Sequence, residues 1–299
     1  METGSDSAGS GTLPASPPTD LALASAEGAD YVRALYRLAL RREPEPEALA
    51  EAARRLEEGT HSRASLLRDL VASEEFQRVR ALDDGVAFAT WARRNDERPR
   101  GLQAPASCDE RAIEIPWTLA RYRGEPDVLD VGFALATPLW LAALAAATPA
   151  EIVGVDLVAA DAPSFRGVVA DVRDLPFQTE SFDVAFCVST LEHVGSDRRK
   201  GYRAGALEAL RELRRVLRSD GRLLLTVPCG VAERHDGFVQ REPGSWLELF
   251  DEASFDTVEC EVYVCHAEGW HGAEHARGVR YAVALGRAGA VLCVELQPR

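Results

Sequence analysis

Four apolar runs in the second half of the chain each end on residues able to hold a ligand. The first ends Asp130-Val131-Gly132 and the second ends Val155-Asp156. The third is followed by Asp171-Val172, and the fourth by Ser189-Thr190-Leu191-Glu192-His193. Three acids at neighbouring strand ends suit a ligand with hydroxyls and an amino-purine. Asp156 lies 24 residues after Gly132. That is close to the spacing at which a nucleotide-binding fold places its ribose-binding carboxylate. Such a carboxylate accepts from the 2′ and 3′ hydroxyls and repels a 2′-phosphate. Asp171 can accept from an adenine amino group, with the Val172 N–H reaching a ring nitrogen. Any one of these acids is also what a solvated strand end or a helix cap carries. Three in register are harder to explain that way.

The turn after the first strand limits the ligand further. A full glycine loop would read D-x-G-x-G-x-G, whereas Asp130-Val131-Gly132-Phe133-Ala134-Leu135-Ala136 keeps the first glycine and puts alanine in the next two places. Alanine resists positive φ, so the turn must be rearranged. A diphosphate needs close backbone approach at a helix N-terminus and suffers most from the change. A ligand without phosphates tolerates it. This tilts the choice from a nicotinamide dinucleotide toward S-adenosylmethionine.

Two histidines are candidate bases for an acceptor hydroxyl. His193 lies just past the fourth strand, and His235 follows the fifth. The plainer readings are a packing histidine for the first and an exposed loop histidine for the second. Glu192 reads as a structural or helix-start acid. Tyr202 and the arginines at 198, 199 and 203 line the acceptor side or form a solvated helix start. Cys260, Cys265, His266, His271 and His275 fit no standard zinc spacing, so no metal is expected. Trp270, beside Gly269 and Gly272, reads as part of a lid or edge loop.

The elements that must position these groups alternate. Strand-like runs at 127–131, 151–156, 167–170, 182–188 and 222–227 are separated by helical stretches near 137–147 and 204–218. The second stretch presents Leu207, Leu210, Leu213, Val216 and Leu217 on one face. Such alternation predicts a parallel sheet covered on both faces. Runs such as Phe186-Cys187-Val188 and Leu223-Leu224-Leu225 are apolar without alternation, as buried parallel strands require. Later runs at 257–265 and 290–296 complete the sheet.

Ahead of this unit, residues 1–25 are rich in Gly, Ser, Pro and Thr and read as a disordered tail. Residues 28–80 carry three amphipathic stretches broken at Pro44–Pro46 and Gly59, the third capped by Ser62 or Ser65. With 10 basic and 10 acidic side chains this small unit is neutral. Residues 81–110 read as a connector with a helix near 86–93, and 111–299 as the ligand-binding domain.

The whole chain has 299 residues and a net charge of -14. That charge argues against nucleic acid as a partner. No run of 18 apolar residues predicts a membrane span. The start lacks a basic stretch followed by an apolar one, which points to a cytoplasmic protein. The cysteines at 108, 187, 229, 260, 265 and 293 are scattered, and several sit in strand-like runs. They read as buried hydrophobes in a reducing compartment.

Residues about 111–296 resemble class I S-adenosylmethionine-dependent methyltransferases of the type 11 (UbiE-like) group. The resemblance is carried by Val128–Gly132, Gly154–Leu157 and Ala170-Asp171-Val172-Arg173-Asp174-Leu175-Pro176-Phe177. Ser181-Phe182-Asp183-Val184, Leu191-Glu192-His193-Val194 and the stretch Ser219–Pro228 extend it. It implies an α/β, Rossmann-like, doubly wound sheet of seven strands with the last antiparallel. It also implies cofactor contacts at Asp130, Gly132, Asp156, Leu157, Asp171, Val172 and Ser189. Ser189–Gly195 and Val227-Pro228-Cys229-Gly230 resemble, more loosely, a subgroup found with polysaccharide-assembly enzymes. That makes a glycan-linked or other small-molecule acceptor the expected substrate. Residues 28–80 are similar to the small all-α family of unknown function numbered 4214, through Leu35-Tyr36, Arg42, Pro44, Leu49, Leu56, Gly59 and Ser73-Glu74-Glu75-Phe76. The resemblance implies a module that binds a protein or glycan partner. The altered glycine loop leaves one alternative, a non-catalytic adapter that keeps the methyltransferase fold. A nicotinamide-dependent oxidoreductase fits the loop and the L-E-H segment less well.

Overall fold

The computed structural model describes residues 25–196 and 201–299. The expected tail therefore lies outside the described residues except for Ser25. So do Arg198 and Arg199. The chain divides into two compact units, one ending at Val79 and the other beginning at Arg80.

The first unit is helical. Helices α1 (Gly28–Leu40), α2 (Pro46–Glu57) and α3 (Arg63–Ala72) surround Tyr31, Leu35, Leu40 and Leu70. α1 stops at Arg41, whose φ of 58° is left-handed. Pro46 opens α2, where its missing N–H costs nothing. Ser62 is the cap of α3 and exchanges hydrogen bonds with Ser65. Helix α4 (Glu74–Arg94) is far longer than the helix expected near 86–93.

The second unit is built on one sheet. Its strands are β1 (Val128–Val131), β2 (Ile152–Asp156), β3 (Phe165–Val169), β4 (Phe182–Val188), β5 (Leu217–Pro228), β8 (Phe255–His266), β9 (Gly269–Ala273) and β10 (Ala290–Pro298). The short strands β6 (Glu233–Arg234) and β7 (Val239–Gln240) form a separate hairpin. The sheet order is β3-β2-β1-β4-β5-β10-β8-β9. The first five strands are parallel, and β10 runs antiparallel between β5 and β8. This is the expected seven-stranded sheet with an antiparallel last strand, extended by β9 as an eighth strand at the edge.

Helices cover both faces. Val128 of β1 points into a core shared with α5 (Arg111–Arg121) and α6 (Pro138–Ala147). Its neighbours Leu129 and Val131 point into another, shared with α7 (Tyr202–Val216) and α8 (Pro243–Glu252). That split follows from the two-residue repeat of a strand. Every residue of α5 after Arg111 is buried, Glu114 and Arg121 included. Arg121 ends the helix and pairs with Glu259 at 2.8 Å and Glu261 at 2.7 Å. Arg222 of β5 binds Glu125 and, at 3.0 Å, Glu295.

Trp270 belongs to no lid. It lies on β9, fully buried, and its indole N–H donates to the Cys108 carbonyl at 3.0 Å. The flanking glycines suggested a loop. Gly269 instead lets the Ala104 backbone approach, because a Cβ there would stand 2.4 Å from the Ala104 carbonyl oxygen. The six cysteines are free thiols.

Candidate functional site

β1 and β4 are neighbours, with β2 beyond β1 and β5 beyond β4. The connection from β1 runs to β2 on one side, and that from β4 to β5 on the other. Chain direction thus diverges between β1 and β4, and the gap at their carboxyl ends opens a cleft. The cleft has a volume of about 420 Å³. Asp130, Gly132, Asp156, Leu157, Asp171, Val172, Ser189 and His193 all line it. His235 is not among the residues that do.

The loop after β1 explains how alanine replaces glycine. Gly132 stands at φ 86°, and a Cβ there would lie 2.3 Å from Thr190 Oγ1. The chain then makes a 3-10 turn over Phe133–Leu135, and Ala136 follows at φ -67°. Only the first glycine position needs the left-handed region, so the two alanines carry no strain. Phe133 anchors the turn. Its ring packs where a Cβ on Gly154 would fall, 2.6 Å from Cγ, and stacks on Phe165 at 5.9 Å. Thr137 caps α6 through the N–H of Trp140, so that helix end is already occupied.

Asp156 serves two ends. One carboxylate oxygen accepts the Ala134 N–H at 3.1 Å and the other the Val158 N–H at 3.4 Å. Asp156 thus pins the loop after β1. Asp171 is held by Arg173, which donates from its backbone at 2.9 Å and from its guanidinium at 2.6 Å. That partner keeps the Asp171 carboxyl below its ordinary range. Asp130 is buried, and its oxygens share the Trp140 indole N–H at 3.1 and 3.3 Å. Burial pushes its carboxyl up to about 7, against the pull of that hydrogen bond.

The other wall of the cleft escaped the sequence reading. Arg111 lines it, at the start of α5. Its guanidinium donates at 2.5 Å to Glu114, whose second oxygen accepts the Ser189 hydroxyl at 2.6 Å. Ser189 itself stands at φ 44°. A non-glycine residue keeps that conformation only where its surroundings impose it. Here the Glu114 contact and an N–H donated to the Thr226 carbonyl at 3.0 Å do so. Glu110 accepts the Ala288 N–H at 3.1 Å, and burial raises its carboxyl to about 7. A signal existed. In Ile113-Glu114-Ile115-Pro116-Trp117 a lone acid sits inside an apolar helical run. A charge in such a place is retained only with partners.

His193 lines the cleft beside Gly237. Its Nδ1 lies 2.9 Å from the Gly237 carbonyl oxygen, which can only accept, so Nδ1 carries the proton in the neutral ring. Nε2 is left with its lone pair. Desolvation lowers the ring's pKa, and the Gly237 contact opposes this. Phe238, His235 and Tyr281 make an aromatic group beside it. Phe238 is 5.7 Å from His193, 4.6 Å from His235 and 4.8 Å from Tyr281 between ring centres. His235 thus serves as packing for Phe238. Arg203 pairs with Glu252 at 2.7 Å, and Tyr202 is buried under Arg234. No group of three or more His, Cys, Asp or Glu among the described residues is placed to hold a metal ion.

Comparison with known proteins bears on two stretches. Residues 129–225 match the family described as a methyltransferase domain. Residues 19–79 match a domain of unknown function, DUF4214. An uncharacterised protein of Methanocaldococcus jannaschii, MJ0638, is 36% identical over 62 residues, 21% of this chain. The match spans 23% of that relative's own length. Among solved structures, the methyltransferase in complex with the Trm112 activator of Haloferax volcanii is 19% identical, with a TM-score of 0.43. The overlap covers 61% of this chain and 88% of that one. The 1,6-didemethyltoxoflavin-N1-methyltransferase of Burkholderia thailandensis, solved with S-adenosylhomocysteine, is 18% identical, with a TM-score of 0.41. It overlaps 58% of this chain and 72% of its own.

Proposed function

We propose that this chain, whose residues 129–225 match a methyltransferase domain, methylates a hydroxyl of a small-molecule or glycan-linked acceptor. The cofactor is S-adenosylmethionine, which supplies an electrophilic methyl group on a sulfonium. The donor set of the cleft suits it. Asp156 faces the place of a ribose, and Asp171 with Val172 that of an adenine. The Arg111 guanidinium answers a carboxylate. The capped start of α6 offers no phosphate cradle, which fits a cofactor without phosphates.

The observation that carries the hydroxyl reading is the tautomer of His193. A neutral ring with Nδ1–H fixed on Gly237 presents a basic Nε2 to the acceptor side of the cleft. Nε2 would take the acceptor O–H proton as the acceptor oxygen received the methyl group that the bound cofactor would supply. Alignment supplies most of the acceleration, up to about 7–11 kcal/mol in favourable cases. Phe238 and Tyr281, beside His193, offer ring faces to the C–H face of a sugar. Together with the looser resemblance in sequence, they support a role in polysaccharide biosynthesis. The helical domain is then a docking module for a protein or glycan partner.

Calorimetric titration with S-adenosylhomocysteine tests this. Micromolar binding, weakened at least about tenfold in Asp156→Ala, is expected. Turnover in a sugar-acceptor screen should then fall in His193→Asn with cofactor affinity kept. No binding at millimolar ligand overturns the reading in favour of an adapter.

A further inference from the structure

Glu192 is an acid of this neighbourhood that keeps a buried oxygen unpartnered among the described residues. Its side chain is only 4% exposed, and Oε2 has no hydrogen-bond partner. Oε1 lies 3.9 Å from His193 Nε2, on the ring edge that carries the lone pair. The groups that act on it are Glu110, Arg111 and Glu114 of α5, Cys187 of β4 and Tyr281. Among the described residues the cation in this group is Arg111, which Glu114 engages at 2.5 Å. An ionised Glu192 would thus be a second buried negative charge without a counter-ion. Such a group gives up its charge rather than pay the desolvation cost.

We propose that Glu192 is the positioning residue of the base: a carboxyl held neutral against the edge of His193, so that Nε2 stays unprotonated at rest. The inference rests on His193 as the base. An ionised carboxylate at 3.9 Å would favour the imidazolium and fill Nε2 with a proton before any acceptor arrived. A neutral one leaves it empty. Burial raises the Glu192 carboxyl to about 8; its own backbone N–H and Arg111 act against this, and Glu114 and Glu110 act with it. The neutral window therefore covers physiological pH. Above it Glu192 ionises, and the edge of His193 then faces a carboxylate in place of a neutral carboxyl. Once His193 has taken the acceptor proton, the same neighbour favours release of one proton from the pair to solvent, and the starting state returns.

The test is an NMR pH titration of the full chain, labelled with ¹⁵N in histidine and ¹³C in the glutamate carboxyls, without cofactor or acceptor. His193→Asn identifies the His193 signals among those of the six histidines. Two inflections are expected at His193: its own, below the ordinary value near 6.5, and a second near 8 from Glu192. Glu192→Gln should erase the second and move the first by less than about 0.3 unit. Glu110→Gln should leave the second in place. A fall of about one unit or more in the His193 value in Glu192→Gln would show an ionised partner at neutral pH and overturn the proposal. If Glu192→Gln does not fold, the wild-type glutamate carboxyl signals decide. The inflection near 8 that disturbs His193 supports the proposal, and its absence overturns it. Failure of the base reading shows elsewhere, as unchanged turnover in His193→Asn.

Discussion

Replacing Asp130 by asparagine should make the protein more stable in base and not in acid. Asp130 is buried at the end of β1, and its oxygens rest on the Trp140 indole N–H. Its carboxyl is raised from an ordinary 3.8 to about 7. The folded chain therefore holds a proton that the unfolded chain has released anywhere between those values. Stability from this group is complete below 3.8, falls as pH rises, and is exhausted above about 7. Three units at about 1.36 kcal/mol each put the ceiling near 4 kcal/mol. Asparagine keeps one oxygen for Trp140 and cannot ionise. Part of the ceiling is forfeited, because one of two acceptor oxygens becomes a donor. We expect a gain of about 2 kcal/mol at pH 8.5, or about 4–8 °C in the melting transition of a unit of this size. At pH 4 the variant should match the wild type or fall slightly below it. Thermal unfolding followed by tryptophan fluorescence at the two pH values reads both. An Asp130→Asn protein destabilised equally at both would show that the carboxylate is ionised in the fold, and would refute the argument.

Gly132→Ala should destabilise by about 2 kcal/mol or more, because a left-handed alanine and a contact with Thr190 add. Combined with Thr190→Ala, which removes the nearest atoms, it should recover the contact share and not the backbone share; urea unfolding of the four proteins separates the two. Arg121→Met leaves Glu259 and Glu261 facing an apolar side chain, at a cost of about 3–5 kcal/mol in urea unfolding. Adding Glu259→Gln and Glu261→Gln should return part of it, and no recovery would mean that the Arg121 stem, not its charge, holds the helix.

The ends of the parallel strands were legible because buried strands are apolar throughout. An acid that closes such a run, like Asp130 or Asp156, stands out against its own element. The Arg111–Glu114–Ser189 wall was not legible. Glu114 and Ser189 sit 75 residues apart in the chain, so the lone acid of the apolar run in α5 could be noticed but its partner could not. His235 was singled out by its type and its place after β5. A position after a strand does not say which way a side chain turns, and this one turns to Phe238. Trp270 was misplaced because glycines on either side signal a loop, while here Gly269 allows two backbones to meet. Most of α4 went unseen beyond 86–93, because its apolar residues follow no clear helical repeat.

The two alanines after Gly132 change what binding costs. A glycine in the unfolded chain samples far more backbone conformations than an alanine does. Where the folded φ suits both, exchanging glycine for alanine removes about 0.4–1 kcal/mol of entropy that folding would otherwise lose. Ala136, at φ -67°, satisfies that condition, and Ala134 lies within a regular 3-10 turn. The turn is thus ordered by the fold, with Phe133 wedged beneath it and Asp156 tied to Ala134, before any cofactor arrives. A flexible glycine loop charges its ordering to the ligand; this one has already settled, so the cleft selects by shape at the moment of encounter and adapts little afterwards.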